Sequence, residues 1–369
     1  MRVVRVRLKE RSYPILIGSG LLPELGKHLK VSGFAGKFLV IVTQKNIWFH
    51  HGKTVSEALA REGFESALFL TPIAKSSEAS KTQAVWSRLI HFLTSKDGKN
   101  RPLAVLALGG GVIGDLSGFA AAVYRRGIPY AQIPTTLTAQ VDSAIGGKTG
   151  VDLPQGKNLL GTIYQPSLVL CDLDTLNSLP ERNWSDGFAE VIKYGVIRDP
   201  MLFAQLEREG LDGVRAHAKL LESIVHRCAK IKADIVAQDE LDKADLRIVL
   251  NFGHTVGHAI EAVSQYSRAY THGEAVGIGM LVACDIAREM GVLKDPGLAE
   301  RIEGTLIKFR LPVYTKSLSG EAILRAVGYD KKSLQKKNRF VLPVKLGKTL
   351  IVNDVPSSLI ASAVEKRKG

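Results

Sequence analysis

Apolar and polar positions follow different rhythms in the two halves of the chain. Near the start, Val3–Leu8 interleaves apolar with basic side chains, the period-2 pattern of a half-buried strand, and Ile15–Ile17 follows as a second short strand. Phe38–Val42 (in KFLVIVT), Ala67–Leu70 and Leu103–Leu108 (LAVLAL) are short continuous apolar runs, which suits strands covered on both faces. Val55–Arg61 and a stretch from about Ser77 to Leu93 carry apolar residues at helical spacing. Strands and helices in alternation predict an α/β fold, a parallel sheet wrapped by helices.

Beyond Pro180 the texture changes. Gly213–Ala237 and Gly273–Met290 read as long helical stretches with few strand signals between them. The expected organisation is an α/β domain over 1–180 and a mostly helical domain over 181–369, whose tail RFVLPVKLGKTLIV forms a short hairpin. There is no internal repeat and no low-complexity tract.

Composition narrows the partners. The 369 residues are 45% apolar and 23% charged, ordinary for a folded protein, with a net charge of +14. That excess invites an anion: nucleic acid, a membrane surface, or a phosphorylated or carboxylated small molecule. Aromatic residues make up 7% and do not interleave with the basic clusters Lys331-Lys332, Lys336-Lys337 and Lys366-Arg367-Lys368, so a base-stacking platform for nucleic acid is not expected. The longest apolar and glycine tract, Leu103–Gly114, is too short to span a bilayer, and the start has no apolar signal region. Cys171, Cys228 and Cys284 lie far apart, which argues against a disulfide framework and for the cytoplasm.

Several motifs carry chemistry. LAVLAL runs into Gly109, Gly111 and Gly114, a G-x-G-x-x-G turn in the strand-to-helix setting where backbone amides cradle a pyrophosphate. The acidic residue usual about twenty positions later is missing. Downstream come Arg125-Arg126-Gly127, IPTT (Ile133–Thr136), Asp142 and GGKTGVDLPQGKN, where Lys148, Lys157 and Asn158 are expected in glycine-rich loops suited to phosphate or carboxylate. The GKTG step lacks the full spacing of a P-loop. In FAEVIKYGVI, Glu190 and Lys193 share a helix face with apolar flanks, and a buried charged pair needs a metal, a substrate or a partner. His254, His258 and His272 add imidazoles suited to zinc or a similar ion. Spacing alone pairs His254 with His258, with Glu261 or His272 as a third ligand and one position left open.

In order along the chain, GGGVIGD, IPTT, GGKTGVDLPQGKN, FAEVIKYG, LRIVLNFGHTVGHAIE and HGEAVGIGM resemble the signature blocks of the 3-dehydroquinate synthase family, closely from about residue 75 to 285. The resemblance implies a Rossmann-like N-terminal domain, a helical C-terminal domain, bound NAD, one divalent metal (zinc or cobalt) and a homodimer. The metal ligands it implies are Glu190, His254 and His272, which leaves His258 to the substrate. Cofactor contacts would come from Glu78 and Lys81, from Gly111, Val112, Ile113, Gly114 and Asp115, from Thr135, Thr136, Asp142, Lys148 and Lys157, and from Thr175, Leu176 and Ser178. Substrate contacts would come from Asp142, Lys148, Asn158, Lys193, Lys232, Arg247, Asn251 and His258, with Arg126 reaching across the dimer and a lysine of Lys331-Lys332 joining them.

The reaction implied takes 3-deoxy-D-arabino-heptulosonate 7-phosphate to 3-dehydroquinate and phosphate, the second step of the shikimate pathway. It runs through transient oxidation by NAD, phosphate elimination, reduction, ring opening and aldol closure. Other sugar phosphate cyclases and metal-dependent polyol dehydrogenases are the alternatives. Two departures from the family pattern stand out. Gln44 occupies the place of an Asp or Asn that holds the adenine ribose, and the segment between Asp239-Glu240 and Arg247 is one residue longer, which predicts a small bulge.

Overall fold

The structure, a computed structural model, describes residues 1–72, 78–98, 101–264, 269–316, 318–332 and 338–369, with the side chains of 329–332 left aside. The chain divides into two compact units, Met1–Pro180 with Val225–Leu241, and Glu181–Ile224 with Asp242–Gly369.

Among the described residues the first unit is built on nine strands: β1 (Arg2–Val6), β2 (Tyr13–Gly18), β3 (Phe38–Thr43), β4 (Ser66–Leu70), β5 (Leu103–Gly109), β6 (Tyr130–Pro134), β7 (Lys148–Leu153), β8 (Gly156–Ile163) and β9 (Leu168–Asp172). Seven of them form one sheet in the order β1-β2-β9-β6-β5-β3-β4, parallel throughout except for β1 against β2. The apolar runs behave as their composition demands. Every residue of β3, β5, β6 and β9 is buried, because both sheet faces are covered.

Alternate residues divide between two cores. Leu39, Ile41, Leu106 and Ile133 pack with α1 (Leu25–Leu29) and α2 (Lys45–Arg61); Val40, Val42, Val105 and Ala107 pack with α3 (Gln83–Lys96) and α4 (Gly111–Val123). The chain leaves β3 through α2 toward β4 and leaves β5 through α4 toward β6, on opposite faces and in opposite directions. The carboxyl ends of β3 and β5 therefore form a topological switch point, the usual ligand crevice of an open α/β sheet.

The second unit is mostly helical: α5 (Glu181–Ile197), α6 (Pro200–Ala216), the start of α7 (Ala218–Gln238), α8 (His254–Val263), α9 (His272–Glu289), α10 (Leu298–Lys308), α11 (Gly320–Lys332) and α12 (Ser357–Lys366), with a hairpin of β10 (Arg339–Lys345) and β11 (Lys348–Asn353). Helices α8 and α9 lie backbone against backbone, since a Cβ on Gly279 would stand 2.0 Å from the Gly253 carbonyl oxygen. No helix among the described residues is long and apolar enough to cross a membrane.

Several boundaries move from the expected ones. The helix expected from about Ser77 begins at Gln83, where Thr82 accepts a hydrogen bond from the Val85 amide as an N-cap. The helix expected over Val55–Arg61 starts ten residues earlier at Lys45, because Ile47 and Trp48 also pack on the core. The single helix expected over Gly213–Ala237 is broken at His217, which is extended (φ −123°, ψ 90°). The loops expected around Lys148, Lys157 and Asn158 are instead the antiparallel hairpin β7–β8. Residues 225–241, placed by sequence in the helical domain, group with the first unit. The lengthened segment before Arg247 turns through left-handed residues at Asp242 (φ 55°) and Asp245 (φ 59°).

Candidate active site

In the first unit, glycine permits the turn after β5 by its size. A Cβ on Gly114 would lie 2.3 Å from Gln132 Oε1, and one on Gly109 would lie 2.7 Å from Ile113 Cγ1, so α4 approaches the sheet only with glycine at both places. Gly110 precedes α4 without a side-chain cap, so no cap competes for the leading amides of Gly111, Val112 and Ile113, an anion-binding arrangement. Thr135 continues the crevice, its amide bonded to Gly109 O at 3.0 Å, and the Thr136 hydroxyl accepts from the Ala139 amide.

A network of charges lies beside this turn. Lys81, 3% exposed, donates to Asp115 Oδ2 at 2.6 Å and to Asn158 Oδ1 at 2.5 Å. Burial works against its ammonium, but Asp115 and Glu78 outweigh that and hold its pKa above the ordinary lysine value. Lys157 pairs with Glu78 at 3.4 Å. Asn158 is left-handed (φ 55°), and its amide is held by Asp152 Oδ1 at 2.9 Å, a strained conformation that aims the side chain at Lys81.

Lys232, brought in by α7, bonds Asp142 at both its carboxylate (2.9 Å) and its carbonyl (2.8 Å). Thr175 Oγ1 donates to Asp172 O, Ser178 Oγ donates to Thr175 O, and Leu176 is fully buried. Lys148 is exposed at the start of β7, and Arg126 is exposed on a turn whose Arg125 and Arg126 both take positive φ (49° and 63°).

In the second unit, Glu190 and Lys193 lie one turn apart on α5, each about fully buried, and form an ion pair. Glu190 Oε1 is 3.4 Å from His254 Nε2 and 3.3 Å from His272 Nε2, yet neither carboxylate oxygen completes a hydrogen bond. The other ring nitrogens are anchored: His254 Nδ1 lies 3.1 Å from Phe252 O, and His272 Nδ1 lies 3.2 Å from Glu261 Oε2. Held this way, both Nε2 atoms turn toward Glu190. The three ligand atoms fall within 4.8 Å of one another. Two imidazoles and the buried carboxylate oxygen that faces them fit a divalent ion with one position open.

Local sequence explains the convergence. His254 opens α8 directly after Gly253, which is left-handed (φ 81°), and His272 opens α9 inside a capping box of Thr271 and Glu274. Without an ion, burial disfavours the charged His272 ring, but Glu190 and Glu261 overcome it and raise its pKa well above the usual histidine value.

His258 is exposed one turn along α8, its ring centroid 5.4 Å from that of His254. The pair suggested by spacing, His254 with His258, does not share a cluster. His258 groups with Glu261 and His272, and the contact in that group is the bond that orients His272. Arg247 is buried in the 3-10 turn Leu246–Asn251, whose last residue, Asn251, is exposed. The side chains of Lys331 and Lys332 lie outside the described residues. Sequence reasoning missed Asp152 as the anchor of Asn158; the capping box T-H-G-E was a legible signal for the start of α9.

The class follows from whole-chain likeness. A 2-epi-5-epi-valiolone synthase from Streptomyces hygroscopicus subsp. jinggangensis 5008, with NAD+ and Zn2+ bound, superposes with a TM-score of 0.85 over 99% of each chain at 28% identity. A 2-deoxy-scyllo-inosose synthase complexed with carbaglucose-6-phosphate, NAD+ and Co2+ shares the fold at a TM-score of 0.86 and 23% identity, covering 99% of this chain and 100% of its own. The fold is therefore that of the sugar phosphate cyclases.

Within that class, the family models 3-dehydroquinate synthase N-terminal and 3-dehydroquinate synthase C-terminal match residues 71–186 and 187–333. A 3-dehydroquinate synthase of Thermodesulfovibrio yellowstonii is 44% identical over 354 residues, spanning 95% of this chain and 96% of that protein. The chain belongs to the 3-dehydroquinate synthase family.

Proposed function

We propose that the chain converts 3-deoxy-D-arabino-heptulosonate 7-phosphate to 3-dehydroquinate and phosphate, using NAD and one divalent ion, zinc or cobalt, held by Glu190, His254 and His272. The observation that carries the metal reading is the buried Glu190 carboxylate, whose Oε1 completes no hydrogen bond and is faced by two Nε2 atoms whose rings are anchored from behind. When bound, NAD supplies reversible two-electron oxidation and the ion supplies Lewis acidity.

The chain's own residues bind and orient. The amides opening α4 suit the cofactor diphosphate, with Thr135, Thr136, Asp142, Thr175, Leu176 and Ser178 around them and Glu78, Lys81, Lys148 and Lys157 on the flank. Lys193, Lys232 and Arg247 are buried cations set to take the substrate phosphate and carboxylate. Lys193 is oriented by Glu190 and Lys232 by Asp142, each cation held by a carboxylate within its own unit. Asn158, Asn251 and His258 offer hydrogen bonds to hydroxyl groups. We further infer a homodimer in the cytoplasm in which Arg126, exposed on its strained turn, reaches the partner's substrate.

The test supplies the heptulosonate phosphate with NAD and Zn2+ or Co2+ and follows phosphate release, carbocycle formation and absorbance of NADH. Equal phosphate and dehydroquinate with no net NADH is expected. Phosphate release without a carbocycle, or NADH stoichiometric with substrate, would refute the activity, the second outcome in favour of a dehydrogenase.

A further inference from the structure

Three side chains of α5, each four residues apart, converge on the first turn of α9. Arg182 forks onto Glu274, with Nε–Oε1 at 2.8 Å and Nη2–Oε2 at 2.6 Å. Asp186 Oδ1 accepts the Gly273 amide at 2.6 Å, and Glu190 Oε1 lies 3.3 Å from His272 Nε2. Positions i, i+4 and i+8 line one face of a helix, so one stripe of α5 reads consecutive parts of one turn of α9.

The fit is close at the backbone as well. A Cβ on Gly273 would stand 2.1 Å from the Asp186 carbonyl oxygen, which leaves room for glycine alone. In the capping box, Thr271 Oγ1 takes the Glu274 amide and the Glu274 carboxylate takes the Thr271 amide. The Gly273 amide is another leading donor of α9, and Asp186 satisfies it from outside the helix. His272 is thus bracketed: the box fixes the residue before it and Asp186 fixes the residue after it.

We infer that Asp186 is a positioning residue of the metal centre. By holding the Gly273 amide on the helix that also carries Glu190, it sets the separation of His272 from Glu190 and with it the affinity for the divalent ion. This rests on the metal ligation proposed above. Asp186 acts through the backbone beside His272, and its carboxylate needs only an acceptor oxygen to do so.

The experiment measures the dissociation constant for Zn2+ by competition with a chromophoric chelator, alongside the visible spectrum of the Co2+-loaded protein. Asp186→Ala is expected to weaken binding about 10–100-fold and to change the Co2+ bands, as loss of a contact that orients a ligand does. Asp186→Asn, which keeps the acceptor, should stay within about threefold of the parent. In a His272→Ala background, adding Asp186→Ala should leave the residual affinity unchanged.

Parent-like affinity in Asp186→Ala overturns the inference. Equal losses in the Ala and Asn variants, or a further loss in the His272→Ala background, overturn it too. Should Asp186→Ala fail to fold, Asp186→Glu displaces the acceptor by one methylene and should still weaken binding by about threefold or more; parent-like binding there counts against the inference. A parent protein that binds neither ion defeats the metal reading itself, a separate result.

Discussion

Glu190 meets two unlike demands in one carboxylate. Burial alone would raise its pKa, but the Lys193 ammonium and His254 outweigh burial and hold it well below the usual range. One oxygen faces Lys193 and the other faces the two imidazoles, so the residue links the cation proposed for the substrate to the proposed metal ligands. Replacing His254 or His272 with alanine should weaken binding enough for dialysis to strip the ion, read as metal per chain. His258→Ala should keep near-stoichiometric metal and lose activity; an empty site in His258→Ala with a full one in His272→Ala would restore the pair chosen by spacing.

The thiols give a pH prediction of known sign. Burial pushes Cys171 and Cys284 well above the ordinary thiol value, and Tyr130 above the ordinary phenol. Above pH ~8.5 the unfolded thiols ionise while the folded ones keep their protons, so the unfolded chain binds fewer protons and stability falls as pH rises. Melting temperature should drop from pH 8 toward 10, less steeply in Cys284→Ala. All three cysteines are buried, so none should react with a thiol reagent before unfolding.

Among the elements, the tightest constraint is the crossing of α8 and α9. Gly279→Ala places its methyl 2.0 Å from a backbone oxygen that cannot rotate away, so the helices must part, at a cost of about 1–3 kcal/mol or more in denaturant unfolding. Gly304→Ala in α10 is the contrast. Its methyl meets nothing within 4 Å, and removing a helical glycine should stabilise by about 0.5–1 kcal/mol.

The same elements explain what could be read in advance. β3 and β5 were legible because strands covered on both faces are continuous apolar runs. The hairpin β7–β8 was hidden because Gly150 pairs with Gly161, and a Cβ on Gly161 would lie 2.2 Å from Thr149 O. Strand-forming side chains are excluded there, and glycine and lysine read as loop. Helix α7 carries no mark of which unit buries it, so the grouping of 225–241 with the first unit was invisible. Spacing found the histidines but grouped them by distance along the helix, whereas the carboxylate that gathers His254 and His272 comes from α5.

On the scale of the whole molecule, the charge of +14 poses the question of which anion it serves. The cations proposed to bind cofactor and substrate are recessed: Lys81, Lys193, Lys232 and Arg247 are 3%, 1%, 6% and 4% exposed. Many surface cations are already answered by carboxylates, as Arg301 is by Glu207 and Arg310 by Glu181 and Asp212. A nucleic acid needs a protruding row of cations at phosphate spacing, whereas a small doubly charged phosphate can enter and be surrounded. Buried pairs are screened little by salt, while the field that gathers substrate is screened over a Debye length of about 8 Å at physiological ionic strength. KM for the heptulosonate phosphate should therefore rise a few-fold between ~0.05 and ~0.5 M salt with kcat nearly constant, because steering weakens and the bound contacts persist. Duplex DNA followed by fluorescence anisotropy should not bind at physiological salt. Micromolar DNA affinity with a steep log–log salt slope would mean that the excess charge is a counterion-releasing surface rather than a field drawing in a small anion.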